Sequence, residues 1–140
     1  MKKSIVLIYL LLMACDGSDG FDTFKYTVIN ESGKNIIVRS FLSTDPNISP
    51  ITTNLSIGEE ITKSERSRHN YSFAEFFSDG SSFRDSIVVE YENQKIDFFN
   101  SNDDNVRNPL NLGEYNTLTE TFIFTVNDYQ NAEDCNGDCE

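Results

Sequence analysis

The chain has 140 residues, which is the size of one domain: enough to bury a real core, with little room for a second. It sets 11 basic side chains against 23 acidic ones, a net charge of −12, which argues against nucleic acid as a partner and against adsorption to anionic lipid by charge alone. An apolar content of 38% with clear periodicity excludes a chain disordered throughout, and one histidine with no tryptophan narrows the catalytic repertoire.

Taken from the amino end, Lys2 and Lys3 precede an apolar run from Ile5 to Met13. That run is too short to span a bilayer, which takes about 20 residues, and the layout is that of a secretory signal peptide. Its end, Leu12-Met13-Ala14-Cys15, resembles the lipobox of bacterial lipoproteins, in which a small residue precedes an invariant cysteine. The resemblance implies that residues 1–14 are removed, that Cys15 is the lipidated residue, and that the protein is lipid-anchored in the bacterial cell envelope, at the outer membrane, facing the periplasm or the surface. Two or three acyl chains hold stably on a membrane where a single chain binds only marginally. Residues 15–23 contain Asp16-Gly17-Ser18-Asp19-Gly20, a polar, glycine-rich stretch suited to a flexible tether.

From Phe24 the dominant period is two. Phe24, Tyr26 and Val28 alternate with Lys25 and Thr27; Glu31-Ser32-Gly33-Lys34 turns; Ile36, Val38 and Ser40 alternate with Ile37, Arg39 and Phe41. Asp45-Pro46 and Ser49-Pro50 mark a loop, Ile51 to Ile57 reads as another strand, and a short one fits around Ile61. The clearest hairpin is Ser86–Tyr91, Glu92-Asn93-Gln94, Lys95–Phe99. A polar loop follows from Asn100 to Asn108. The last strand, Leu118 to Val126, places Leu118, Phe122, Phe124 and Val126 on one face, and Asn127 is positioned to cap one helical turn through Ala132.

No long segment has helical periodicity. About seven short strands with turn residues between them predict an all-β fold: a single antiparallel β-sandwich over residues 24–132, immunoglobulin- or transthyretin-like, with sequential hairpins and with an up-and-down barrel as the alternative. Residues 133–140 form an acidic, cysteine-containing tail. Asn30-Glu31-Ser32-Gly33, Asp85-Ser86-Ile87-Val88-Val89 and Thr125-Val126-Asn127-Asp128-Tyr129 make the chain similar to the small lipoproteins that Bacteroidota produce in large numbers. That likeness implies an envelope accessory protein and carries no catalytic signature. Asp85-Ser86-Ile87 also resembles the Asp-Ser/Thr-apolar O-glycosylation site of that group.

Few residues bear chemistry. His69, in Glu65-Arg66-Ser67-Arg68-His69-Asn70, has no Gly-x-Ser-x-Gly elbow to work with and reads as a loop histidine. A zinc centre needs three or four nitrogen or sulfur ligands, and the sequence offers no such set, so no metal or cofactor is expected. Asp134-Cys135-Asn136-Gly137-Asp138 spaces oxygens like the start of a calcium loop, but the chain lacks the glutamate that would complete it. Cys135 and Cys139, outside the cytoplasm, pair most simply as a disulfide, a local staple rather than a redox couple. The aromatic run Tyr71, Phe73, Phe76, Phe77 and Phe83 has two readings, a cap on one end of the core or, if exposed, a patch for a protein or glycan partner. The expected function is therefore a non-enzymatic accessory or binding module, attached to the membrane through Cys15 and partnered by an envelope protein or glycan. The alternatives are a small enzyme hydrolysing glycans with loop carboxylates, or a structural spacer.

Overall fold

The computed structural model describes residues 20–67, 73–78, 84–112, 117–135 and 137–139. Among these, eight strands follow in chain order: β1 (Asp22–Glu31), β2 (Ile36–Phe41), β3 (Ile51–Leu55), β4 (Glu60–Ser67), β5 (Ser86–Tyr91), β6 (Lys95–Asn100), β7 (Thr119–Thr125) and β8 (Glu133–Asp134). One sheet has the order β4-β1-β7 and the other β3-β2-β5-β6-β8. Two short helices, α1 (Phe73–Phe76) and α2 (Val126–Asn131), and a 3₁₀ turn at Pro109–Asn111 complete the fold.

Alternation explains the packing. Phe24, Tyr26 and Val28 of β1 and Phe122 and Phe124 of β7 face Ile36 and Val38 of β2, Leu55 of β3 and Ile87, Val89 and Tyr91 of β5 in one continuous core. Two sheets with their apolar faces together make an all-β sandwich, not a barrel.

The strand connections depart from a series of hairpins. β1 does not pair with β2. It takes β4 as an antiparallel neighbour, with Val28 opposite Ile61, and β7 as a parallel one, with Val28 opposite Phe122. Each of the first two strands has one strongly apolar face, and placing them in opposite sheets lets those faces meet across the core. The parallel β1–β7 pairing also brings the first and last long strands together.

The crossing between sheets is held by Asn30, whose side chain is fully buried at the end of β1. Its Oδ1 accepts from Ser32 N (3.1 Å) and Ser32 Oγ (2.6 Å), while its Nδ2 donates to the carbonyls of Lys34 (2.7 Å), Leu55 (3.0 Å) and Ser56 (3.0 Å). One amide thus ties the β1–β2 crossing to the β3–β4 turn. Gly33 takes a left-handed φ of +75° there, a conformation that glycine adopts without steric cost.

The cap of α2 is Thr125, not Asn127. Thr125 Oγ1 accepts from Asp128 N (3.3 Å) and the Asp128 carboxylate accepts from Thr125 N (2.7 Å), a reciprocal capping box that starts the helix directly where β7 stops. Val126 is consequently turned out to solvent, as is Leu118 on the other side of β7, although both share the core parity of the strand. Alternation predicts burial only inside the strand, and these two lie just beyond its ends.

Candidate functional site

The three described rings of the aromatic run form no exposed patch. Phe73, Phe76 and Phe77 are all buried, because α1 turns them inward between the sheets. Phe73 stacks almost parallel on Tyr26 at 4.9 Å, Phe76 and Phe77 meet edge to face at 5.1 Å, and Lys63 Nζ bonds the Phe76 carbonyl. Burying a phenylalanine is worth about 2 kcal/mol, which outweighs anything the rings gain in water. Tyr71, Phe83 and His69 lie outside the described residues, as does Cys15. Ser86, the acceptor of the glycosylation-like motif, is buried: it donates to Asp85 Oδ1 (3.0 Å) and accepts from Asn100 Nδ2 (2.8 Å). A hydroxyl so enclosed is not open to a glycosyltransferase, so that motif serves the strand start.

A different surface carries exposed apolar groups. On the outer face of the five-stranded sheet, away from the core, lies a groove of about 470 Å³ lined by Arg39, Phe41, Pro50, Val88, Ile96 and Cys139. Register explains its composition: Arg39 of β2 is opposite Val88 of β5, which is opposite Phe98 of β6, and Glu90 is opposite Ile96. Phe98 is 57% exposed and its ring leans toward Phe41 at 6.0 Å. A solvated sheet face ordinarily carries polar residues at these positions. The equivalent face of the other sheet is more polar: Thr27 and Thr62 are hydrogen-bonded across β1 and β4 at 2.9 Å, and its apolar members are Ile29 and Ile123, which pair with each other.

Within this apolar surround sits an ion pair, Arg39 Nη1 to Glu90 Oε2 at 2.7 Å, with Glu90 nearly out of solvent. Charge-assisted bonds of this kind set orientation more than affinity, and a partner reaching the groove meets a fixed donor–acceptor pair amid apolar walls.

The C-terminal tail supplies one wall. Cys135 and Cys139 are joined, with Cα atoms 5.1 Å apart and four positions apart in sequence. Cys135 N donates to Gln94 O (3.0 Å), Asn93 Nδ2 to Gly137 O (3.0 Å), and Cys139 is buried against the end of the groove. β8 adds to β6, with Ile96 opposite Glu133. Residues 133–135 and 137–139 are therefore built into the five-stranded sheet and its outer face rather than hanging free. A loop this short contributes only about 2 kcal/mol by chain entropy, so shaping this wall is the larger consequence of the staple.

A second polar cluster lies at the β6–α2 edge. Arg107 grips Asp128 with two bonds, Nε to Oδ1 (2.9 Å) and Nη2 to Oδ2 (2.6 Å), and its guanidinium lies 4.7 Å from the Phe122 ring centre. Burial alone would raise the Asp128 carboxyl, but the bonds from Arg107 and Thr125 outweigh it and hold the group below the ordinary carboxylate range. Nearby, Asp97 accepts from Tyr91 OH at 3.4 Å. Its carboxyl is pushed up, first by burial and then by the charges of Asp128 and Glu133. A carboxylate raised in the folded state destabilises the fold once it ionises, so Asp97→Asn raises the unfolding midpoint at pH 7. Because the side chain is only partly buried, the gain stays below about 1 kcal/mol. The gain vanishes as pH falls below about 4, where Asp97 is protonated in both states; urea titrations at the two pH values measure it. Asp128 is committed to its salt bridge and helix cap, which leaves it unsuited to acid–base chemistry.

Among the described residues, no group of three His, Cys, Asp or Glu side chains is placed to hold a metal, and no helix is long and apolar enough to cross a membrane. The chain matches no family model, no curated protein and no solved structure. The groove residues have a sequence signal of their own: Ile36-Ile37-Val38, Ile87-Val88-Val89 and Phe98-Phe99 are apolar on both faces of their strands, where a sheet facing water on one side shows alternation.

Proposed function

We propose that this is a membrane-anchored envelope lipoprotein that acts as a non-enzymatic binding module, with the outer face of the five-stranded sheet as its binding surface. The observation that carries this reading is the apolar groove around the Arg39–Glu90 pair, with Phe98 exposed beside it. Its lining favours a protein partner: apolar side chains dominate, as in the central part of protein interfaces, and the fixed ion pair supplies register. Cys15, through its lipobox resemblance, supplies the anchor.

Two measurements test the two halves. A photo-reactive residue at position 98, introduced in the full chain in cells, is expected to give one discrete cross-linked product that Val88→Glu abolishes. The same group at position 62, on the more polar face of the other sheet, gives none. Equal products from both positions, or none from either, would overturn the binding face. Cys15→Ser is expected to abolish the acyl mass increment and release the protein from the membrane fraction; a variant that stays membrane-bound and is cleaved as before removes the anchor.

A further inference from the structure

The groove on the outer face of the five-stranded sheet runs diagonally across its strands. Phe41 of β2 is opposite Ser86; Val88 lies two residues further along β5, and Glu90, two further still, is opposite Ile96 of β6. With strands about 4.8 Å apart and a rise of about 3.4 Å per residue, the path from Phe41 to Ile96 is about 17 Å. The backbone beneath it has nothing to offer a ligand. β2 is paired on both sides by β3 and β5, β5 by β2 and β6, and Ile96 by Glu90 and Glu133. A peptide lying extended here would set its own N–H and C=O groups against apolar walls, with no strand edge to bond them. A helix arrives with its backbone already satisfied, and about eleven residues at about 1.5 Å each match the path.

Charge decides the polar flank of such a helix. Residues opposite each other in a ladder project to the same face, so Ile96 lies between two carboxylates, Glu90 and Glu133. Arg39 neutralises Glu90. Glu133 is exposed and enters none of the ion pairs between described residues. Asp138, also exposed, precedes the Cys139 that lines the groove. The free charge at this end is therefore negative. A second copy of the chain, itself carrying −12, is a poor match for it.

We propose that the groove receives an amphipathic helix of a partner protein, with its apolar side against Val88, Ile96 and Phe98 and a lysine or arginine on its flank facing Glu133. The proposal rests on the outer face being the binding surface and adds what kind of segment binds there.

The test titrates the full chain with fluorescent synthetic peptides of about 18 residues, long enough to be helical on their own. One carries leucine on one face and lysine on the other, the second has glutamate in place of lysine, and the third is the lysine peptide interrupted by prolines. The lysine helix is expected to bind, and Val88→Glu to abolish the binding. Glu133→Lys is expected to weaken it roughly fivefold and to strengthen the glutamate helix. Equal binding of the lysine and glutamate helices overturns the basic flank, and equal binding of the proline-containing peptide overturns the helix. Binding of the lysine helix that survives Val88→Glu belongs to the acidic surface at large and overturns the groove as its seat. Should Val88→Glu not fold, Phe98→Glu takes its place, since that ring is already more than half in water. If no peptide binds, the helix is overturned, while a discrete cross-linked product from position 98 still upholds the face. A product of twice the chain's mass makes the occupant a second copy and overturns the partner helix.

Discussion

Phe73→Ala is expected to destabilise the fold by about 4 kcal/mol, a fall in the unfolding midpoint of about 15 °C. The ring is fully buried and stacks on Tyr26, with Phe76 5.6 Å away on its other side. Removing it leaves a cavity between the sheets that α1, a single turn, has few other contacts to close. The reference is Phe98→Ala on the outer face, where more than half of the ring is already in water and the change stays within about 1 kcal/mol. Urea unfolding of the two variants measures both numbers. If Phe73→Ala leaves stability untouched, α1 does not pack inward, and the aromatic run returns as a candidate contact surface.

Asn30→Ala has the next largest expected effect, about 3 kcal/mol. The loss comes less from the bonds themselves than from what is left behind: the carbonyls of Lys34, Leu55 and Ser56 lose their shared donor, and Ser32 loses its acceptor. Each buried polar group left unpaired costs about 1–3 kcal/mol, and water can reach only the outer ones. Asn30→Asp sharpens the test. It keeps the acceptor, removes the donor and aims a carboxylate at three carbonyl oxygens. Such a carboxyl has its folded pKa raised, so the variant is destabilised more at pH 7 than near pH 4. A loss independent of pH would show that the side chain leaves its buried place.

These two residues illustrate how the molecule divides between what is readable locally and what is not. Period-two alternation separated the two faces of β1, β2 and β7, because each strand has one face in the core and side chains alternate across it. The hairpin from Ser86 to Phe99 was equally legible, since its turn and both strands are contiguous. The three stretches singled out in the sequence as lipoprotein-like prove to be joints. Asn30 to Gly33 locks the crossing between sheets, Asp85 and Ser86 fasten the start of β5, and Thr125 to Asp128 forms the helix cap. Residues of this kind answer to backbone geometry rather than to chemistry.

The apolar outer face was hidden for a related reason. An apolar run such as Ile87-Val88-Val89 signals a strand with both faces covered, but it does not say what covers the second face. Only the sheet register brings Arg39, Val88 and Phe98 into one row and sets Glu90 beside them. Only the fold of the tail brings Cys139 to the end of that row, since its position depends on Gln94 and Asn93, some forty residues earlier in the chain. The aromatic run shows the converse: five rings in thirteen residues read in sequence as either a core cap or a surface patch, and the fold puts the three that are described inside.

By itself, then, the sequence determined an all-β domain, the seven longer strands and the two faces of those that alternate, because alternation and turn chemistry act over a few residues and need no distant partner. The tertiary structure decided which sheet each strand joins and which apolar faces stay in water. Those outcomes depend on residues far apart in the chain competing for the same neighbours, and no local pattern records who wins.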